Sequence, residues 1–419
     1  MRALAVAVVC WLTALGVAYA QSQPLLSYGV TGSVTSEDFG NPTTLLARED
    51  VQRLVLRAAH ENGVTAADAT MMLNGVTLEQ VIAGGLLRTD GGRYGIAFNL
   101  ITAADRAHID AVLAPYAQSL ANALLGRRAR FEYLMTGYAL PGVSQRDVAF
   151  ALIGCVALDW DGLAITAERG YRAPAVQHAN GDHYIVWAHE NGPDVSYRAL
   201  YWGSHNDQRG ASWLTTFGDH DALPRAGLPD AVWEARAAIL RAHLPEEARE
   251  ALRLSVYDDY EATLDRAAAA MLALRDGPRS AASLAQAMNT APALAHRTMD
   301  LLAALHYVRR EGGAYRAAVP VFAERDRAML NAVRAEARTI VSHWLRNNDA
   351  QMRRDLGELS AVRAGVPYEQ VFTEVWHYLF GAANARLAAS GFIADPYEEG
   401  AQWRGFVPFV WASSLALTD

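Results

Sequence analysis

Five of the twelve histidines crowd into one stretch, at His178, His183, His189, His205 and His220, in the company of Asp182, Glu190, Asp207, Asp219 and Asp221. Neutral imidazole and carboxylate are the ligands zinc prefers outside thiolate sites. Tyr184 to His189 reads as a strand, which gives His183 and His189 the same parity and places them on the face that carries Trp187. Tyr197 to Trp202 is the expected partner strand, delivering His205 just past its end. Two hairpin histidines joined by Asp219 or His220 from the following loop would make a three-ligand site with an open position, the arrangement of metal-assisted hydrolysis. Against it, the chain has no His-Glu-x-x-His and no other spacing that demands a metal. Histidines and aspartates beside glycine commonly make turn and capping bonds instead. The expectation is therefore no cofactor, with a transition metal such as zinc as the alternative. Trp187, Tyr197, Tyr201 and Trp202 are the expected ligand surface of the same stretch.

Other chemistry is thinly represented. Ser204 has His205 beside it, but neighbours on a strand point to opposite faces, and no Gly-x-Ser-x-Gly elbow occurs. Cys155 sits in an apolar helical run, where a thiol is buried and inert. Asp159 and Asp161 flank Trp160, yet residues two apart on a helix do not face each other. Asp258, Asp259 and Glu261 read as a solvated helix face. None of these is expected to be catalytic.

The elements that must position these residues come in two sets. Asp90-Gly91-Gly92-Arg93-Tyr94 matches Glu311-Gly312-Gly313-Ala314-Tyr315, and at the same offset Leu87-Arg88 matches Val308-Arg309 and Asp105-Arg106 matches Asp326-Arg327. Further on, Gly142-Val143 corresponds to Gly365-Val366 and Gly170-Tyr171 to Gly391-Phe392. Tyr201-Trp202-Gly203-Ser204 resembles Val410-Trp411-Ala412-Ser413 once residues are deleted from the second set. A repeat at this spacing predicts tandem copies. In the first, helices are expected over 49–61, 65–73 and 77–84, then a hairpin turning at Asp90-Gly91-Gly92. In the second they fall at 264–274, 280–288 and 293–305, then a hairpin turning at Glu311-Gly312-Gly313, where glycine supplies the positive φ of a tight turn. Long helices follow at 103–135 and 323–356, and a further helix at 144–167 or 367–389 leads into aromatic strands.

Helix, helix-turn-helix, hairpin is the winged-helix order, and Gly85 to Tyr94 resembles the end of the third helix and the wing of MarR- and ArsR-type domains. It is also similar to the amino-terminal dimerisation domain of O-methyltransferases. The resemblance covers about 50 residues per copy and implies fold, not activity. No glycine-rich loop after a strand follows, so the methyltransferase activity is not expected. The fold class is mainly α with small β-hairpins (α+β), a tandem duplication of winged-helix-like units joined by long helices. The expected layout is a signal peptide at 1–20, an extended segment at 21–47, a first copy at 48–210, a loop and helical linker at 211–261, and a second copy at 262–415. Within the copies, the winged units are 48–101 and 262–322.

A winged-helix regulator needs Arg, Asn or Gln on its third helix to reach base edges, and cations for phosphate. The first copy offers Thr77, Glu79 and Gln80 there. The second offers His296, Arg297 and Thr298, with Arg309, Arg310 and Arg316 on its wing; Arg297, Arg309, Arg310 and Arg316 are the candidate nucleic-acid contacts. Net charge weighs the other way: 37 Lys+Arg, every one of them Arg, against 45 Asp+Glu gives −8, which disfavours broad attraction to nucleic acid or anionic membrane.

Residues 1–20 run from Arg2 through an apolar stretch to Ala18-Tyr19-Ala20, the pattern of a cleaved secretory signal, with an apolar run shorter than the ~20 residues of a membrane span. Cleavage would leave Cys155 alone, unable to form an intramolecular disulfide. The expectation is a periplasmic or secreted, non-enzymatic protein with no membrane span, binding a protein or small ligand, as a monomeric pseudo-dimer or a homodimer. A metal-dependent hydrolase acting through 178–221 and a DNA-binding transcriptional regulator are the alternatives.

Overall fold

The computed structural model describes residues 25–34, 40–173, 175–178, 181–192, 203–218, 260–403 and 405–415. The expected signal at 1–20, most of the linker at 211–261, and Tyr197, Tyr201, Trp202, Asp219 and His220 lie outside them.

The chain opens with strand β1 (Leu26–Ser33), helices α1 (Pro42–Leu46), α2 (Glu49–His60), α3 (Ala66–Met72) and α4 (Leu78–Ala83), and strands β2 (Leu87–Asp90), β3 (Arg93–Ile96) and β4 (Asn99–Ile101). Helices α5 (Ala103–Leu125), α6 (Arg128–Met135) and α7 (Gln145–Glu168) follow, then β5 (Val176–Gln177), β6 (His183–Glu190), β7 (Ser204–Arg209) and β8 (Ser212–Gly218). The remainder runs α8 (Tyr260–Leu274), β9 (Arg279–Ser280), α9 (Ala281–Ala287), α10 (Pro292–Ala304), β10 (Val308–Glu311), β11 (Ala314–Ala317), β12 (Val321–Phe322), α11 (Arg327–Asp355), α12 (Ser360–Arg363), α13 (Tyr368–Ala389) and β13 (Phe406–Ala412). This is a mixed α+β class, as expected.

Local chemistry explains the shared geometry of the two sets. The turns β2–β3 and β10–β11 both need two left-handed residues, and glycine supplies them with the same angles: φ 55° and 82° at Gly91 and Gly92, and again at Gly312 and Gly313. Asp105 and Asp326 each accept a backbone N–H at the start of a long helix, from Thr102 at 3.0 Å and from Ala323 at 2.8 Å. Strand β9 pairs with β11, and its place in the first set is taken by a single bridge between Val64 and Tyr94.

The contacts divide the chain into two compact units. Residues 1–106, 175–195 and 360–366 form one; 107–174, 196–359 and 367–419 form the other. In the first unit, β6 is flanked by antiparallel β1 and parallel β4, with β5 also paired to it. In the second, β13 lies between parallel β12 and antiparallel β8, and β7 extends the sheet as its edge. The strand after each glycine-turned hairpin therefore pairs in parallel with a late strand, and that late strand pairs antiparallel with one lying upstream of the helices. By this pairing the counterpart of β13 is β6.

The core of the second unit is α7. Its central stretch Phe150–Trp160 is a π-helix, buried from Phe150 to Asp159. α7 is long and apolar enough to cross a membrane, but 83% of its apolar window is buried. It has 24 residues where α13 has 22, and the widened i→i+5 ladder accommodates the two extra residues without breaking the helix. α13 knits itself to this stretch: the Trp376 indole donates to the Leu158 carbonyl at 2.9 Å and Asn384 Nδ2 to the Gly154 carbonyl at 3.2 Å. Gly162 allows the approach, since a Cβ there would lie 2.7 Å from the Trp376 ring.

Candidate functional site: a buried polar seam at Asp159

Two of the expected metal ligands, His183 and His189, lie at opposite ends of one strand. His183 and His189 do share a face of β6 with Trp187, and His189 packs against the Trp187 ring at 5.6 Å. Six residues of extended strand nonetheless hold the two imidazoles about 20 Å apart, too far for one ion. Equal parity gave a common face but not proximity. The strands beside β6 are β1, β4 and β5, and His205 lies on β7. His178 is a packing histidine: it stacks on Tyr184 at 3.7 Å, donates from Nε2 to the Tyr184 carbonyl at 2.9 Å, and burial lowers its pKa. Among the described residues no group of three or more His, Cys, Asp or Glu side chains is placed to hold a metal.

The candidate nucleic-acid contacts fall on α10 and the β10–β11 hairpin, and the hairpin arginines have local partners. Arg310 pairs with Asp300 and lies over the Tyr315 ring; Arg316 pairs with Glu311 at 3.1 Å; Arg309 reaches Gln402 at 3.5 Å. Arg297 is exposed on α10. In the first set, Thr77 and Gln80 are occupied by a capping box at the start of α4.

A different cluster is a buried polar site that joins three elements. Asp159 is only 3% exposed on the π segment, where it is hydrogen-bonded with Ser204 of β7 and has His377 Nε2 of α13 at 3.9 Å from Oδ1. Burial raises its pKa; His377 and the Ser204 hydroxyl pull the other way. The Trp160 indole donates to Ser204 Oγ at 3.2 Å. Three elements thus meet at one carboxyl group.

This arrangement is not a nucleophile with its base. In such a relay the base stands between hydroxyl and carboxylate, whereas here the carboxyl stands between hydroxyl and imidazole. Cys155, on the same helix, is fully buried and its thiol is pushed well above its ordinary range. Asp161 points elsewhere, as residues two apart must: it accepts from Arg334 at 2.7 Å and from Arg338 at 3.1 Å. In the sequence, neither Asp159 nor Ser204 has a spacing that marks it as part of a site. A trace was there all the same, because the run from Gly142 to Gly170 is two residues longer than the run from Gly365 to Gly391.

Comparison with known proteins returns no matching family model, no matching curated protein and no matching solved structure.

Proposed function

We propose that the chain is a fused pair of winged-helix-like copies, a pseudo-dimer in a single polypeptide, acting as a non-enzymatic scaffold for binding a protein partner. The contacts of the loops behind the long helices support this reading. Residues 360–366 of the second copy belong to the first compact unit, where Arg88 beside the first wing donates to the carbonyls of Ala364 and Gly365. The matching loop of the first copy lies in the second unit together with its flanking helices, and there Tyr138 bonds Val321 and Ala139 accepts from Arg275 at 3.2 Å, the two partners being residues of the second copy. Reciprocal exchange of equivalent segments is the signature of a swapped homodimer, here contained in one chain.

A binding role is favoured over DNA contact by the carboxylates beside Arg310 and Arg316 and by the negative net charge. It is favoured over hydrolysis by the distance between His183 and His189. The test is fluorescence anisotropy with duplex DNA at low salt, alongside sedimentation equilibrium. The scaffold reading expects a single-chain mass and no salt-dependent binding. Duplex binding that weakens steeply with salt and is lost in an Arg309→Ala/Arg310→Ala variant would replace it with the regulator reading.

A further inference from the structure

A groove with a volume of about 590 Å³ runs between α5 and α11 within the second compact unit, in the range of roughly 300–1,000 Å³ that small-molecule sites occupy. Its two sides differ in chemistry. From α5 come Ala111, Val112 and Pro115, from α11 come Asn348 and Asp355, and Tyr116 and Ser119 complete the lining. Pro115 stands in the interior of α5. Proline has no N–H, so the Ala111 carbonyl lacks the donor it would take one turn on in a regular helix, and both residues line the groove.

The polar hydrogens around it are mostly committed to neighbours. The Tyr116 hydroxyl donates to Asp355 Oδ2 at 2.6 Å and Gln351 Nε2 to Asp355 Oδ1 at 2.6 Å, while Asn348 Nδ2 donates to the Trp344 carbonyl at 2.7 Å and the Trp344 indole to Ser119 Oγ at 3.1 Å. These bonds leave acceptors: Asn348 Oδ1 and a further lone pair on each Asp355 oxygen. The Asp355 carboxyl is held below its ordinary range by the Tyr116 hydroxyl and then by Gln351, with Arg354 and His108 adding to the effect. Arg354 itself donates to Gln351 Oε1. Tyr116 is pushed up to about 12 by burial and by Asp355, so it remains the donor.

We propose that this groove binds a primary alkylammonium ion, with the ammonium on Asp355 and Asn348 Oδ1 and the alkyl chain along Ala111, Val112 and Pro115. An ammonium group brings donors and no acceptor, which complements such a rim. Its bond to an ionised carboxylate is charge-assisted, and so shorter and stronger than a neutral one. The Tyr116 ring adds a π face to the lining, which attracts a cation rather than an anion. A hard divalent ion is a poorer match, because it takes about six oxygen ligands and the lining offers a single carboxylate beside an apolar wall.

Ligand-observed NMR of the full chain, titrated with n-butylammonium chloride and in parallel with sodium butyrate, tests the proposal. Saturable magnetisation transfer to n-butylammonium is expected in the wild type, and none to butyrate. Asp355→Asn keeps an oxygen for the Tyr116 hydroxyl but loses the charge, and is expected to bind n-butylammonium about ten-fold more weakly or worse. Ala111→Phe, at an exposed position of α5, fills the groove without altering the carboxylate and is expected to weaken binding to a similar extent. It decides the matter if Asp355→Asn does not fold. Absence of saturable transfer in the wild type, unchanged affinity in either folded variant, or equal binding of butyrate would each overturn the proposal.

Discussion

The Tyr138 hydroxyl accepts the Val321 amide hydrogen at 2.8 Å and donates to the Val321 carbonyl at 2.9 Å. One side chain therefore does for β12 what a neighbouring strand would do, and it comes from the loop of the first copy. Tyr138 is 5% exposed and its ring packs on Phe322 at 5.3 Å. Tyr138→Phe keeps the packing but leaves a buried N–H and C=O without their partner. A loss of ~1–3 kcal/mol is expected in urea unfolding. Tyr133→Phe, on a side chain that is 66% exposed, is the control expected to change nothing measurable.

Arg275 grips Asp326 with two nitrogens, at 2.9 Å from Nε, and both side chains are about 95% buried. The contact is a liability when halved. Asp326→Ala strands a buried guanidinium and removes the bond to the Ala323 amide, so a cost of ~3–5 kcal/mol is expected from the same unfolding measurement.

Gly85 and His306 occupy equivalent positions after the third helix with φ 70° and 63°. Only glycine adopts that region without strain. His306→Gly is expected to stabilise the protein by ~0.5–1 kcal/mol, read as a raised melting temperature. Gly85→Ala is expected to lower it, because the new Cβ would lie 2.4 Å from His178 Nδ1.

Arg353 holds the Glu369 carboxyl below its ordinary range by a 2.5 Å hydrogen bond. A lowered pKa contributes stability that is present above the unfolded value near 4 and is lost as pH falls through the folded one. Glu369→Gln is expected to be less stable at neutral pH by at most about 1 kcal/mol, given partial exposure. Acid titration of both proteins checks this: the two stability curves should converge as pH drops.

Much of the local architecture was legible because local chemistry sets it. The paired glycines marked both hairpins, and the helices preceding them fell close to their expected spans, as with 77–84 against Leu78–Ala83. What the sequence hid was long-range. Nothing in Tyr184 to His189 indicates that β6 takes Leu26–Ser33 as its antiparallel neighbour. The Asp159 seam was hidden for a related reason. Its partners arrive from β7 and α13, and a π-helical ladder leaves little mark on apolar periodicity beyond the two additional residues.

If equivalent loops are exchanged between two fused copies, as proposed, neither copy is complete alone. Dividing the chain between Leu200 and Tyr201 and studying each half alone and mixed tests it most directly. The account predicts that neither half unfolds cooperatively by itself and that an equimolar mixture restores one cooperative transition with the mass of one full chain, 45.5 kDa. Two halves that each fold cooperatively and do not associate would contradict it.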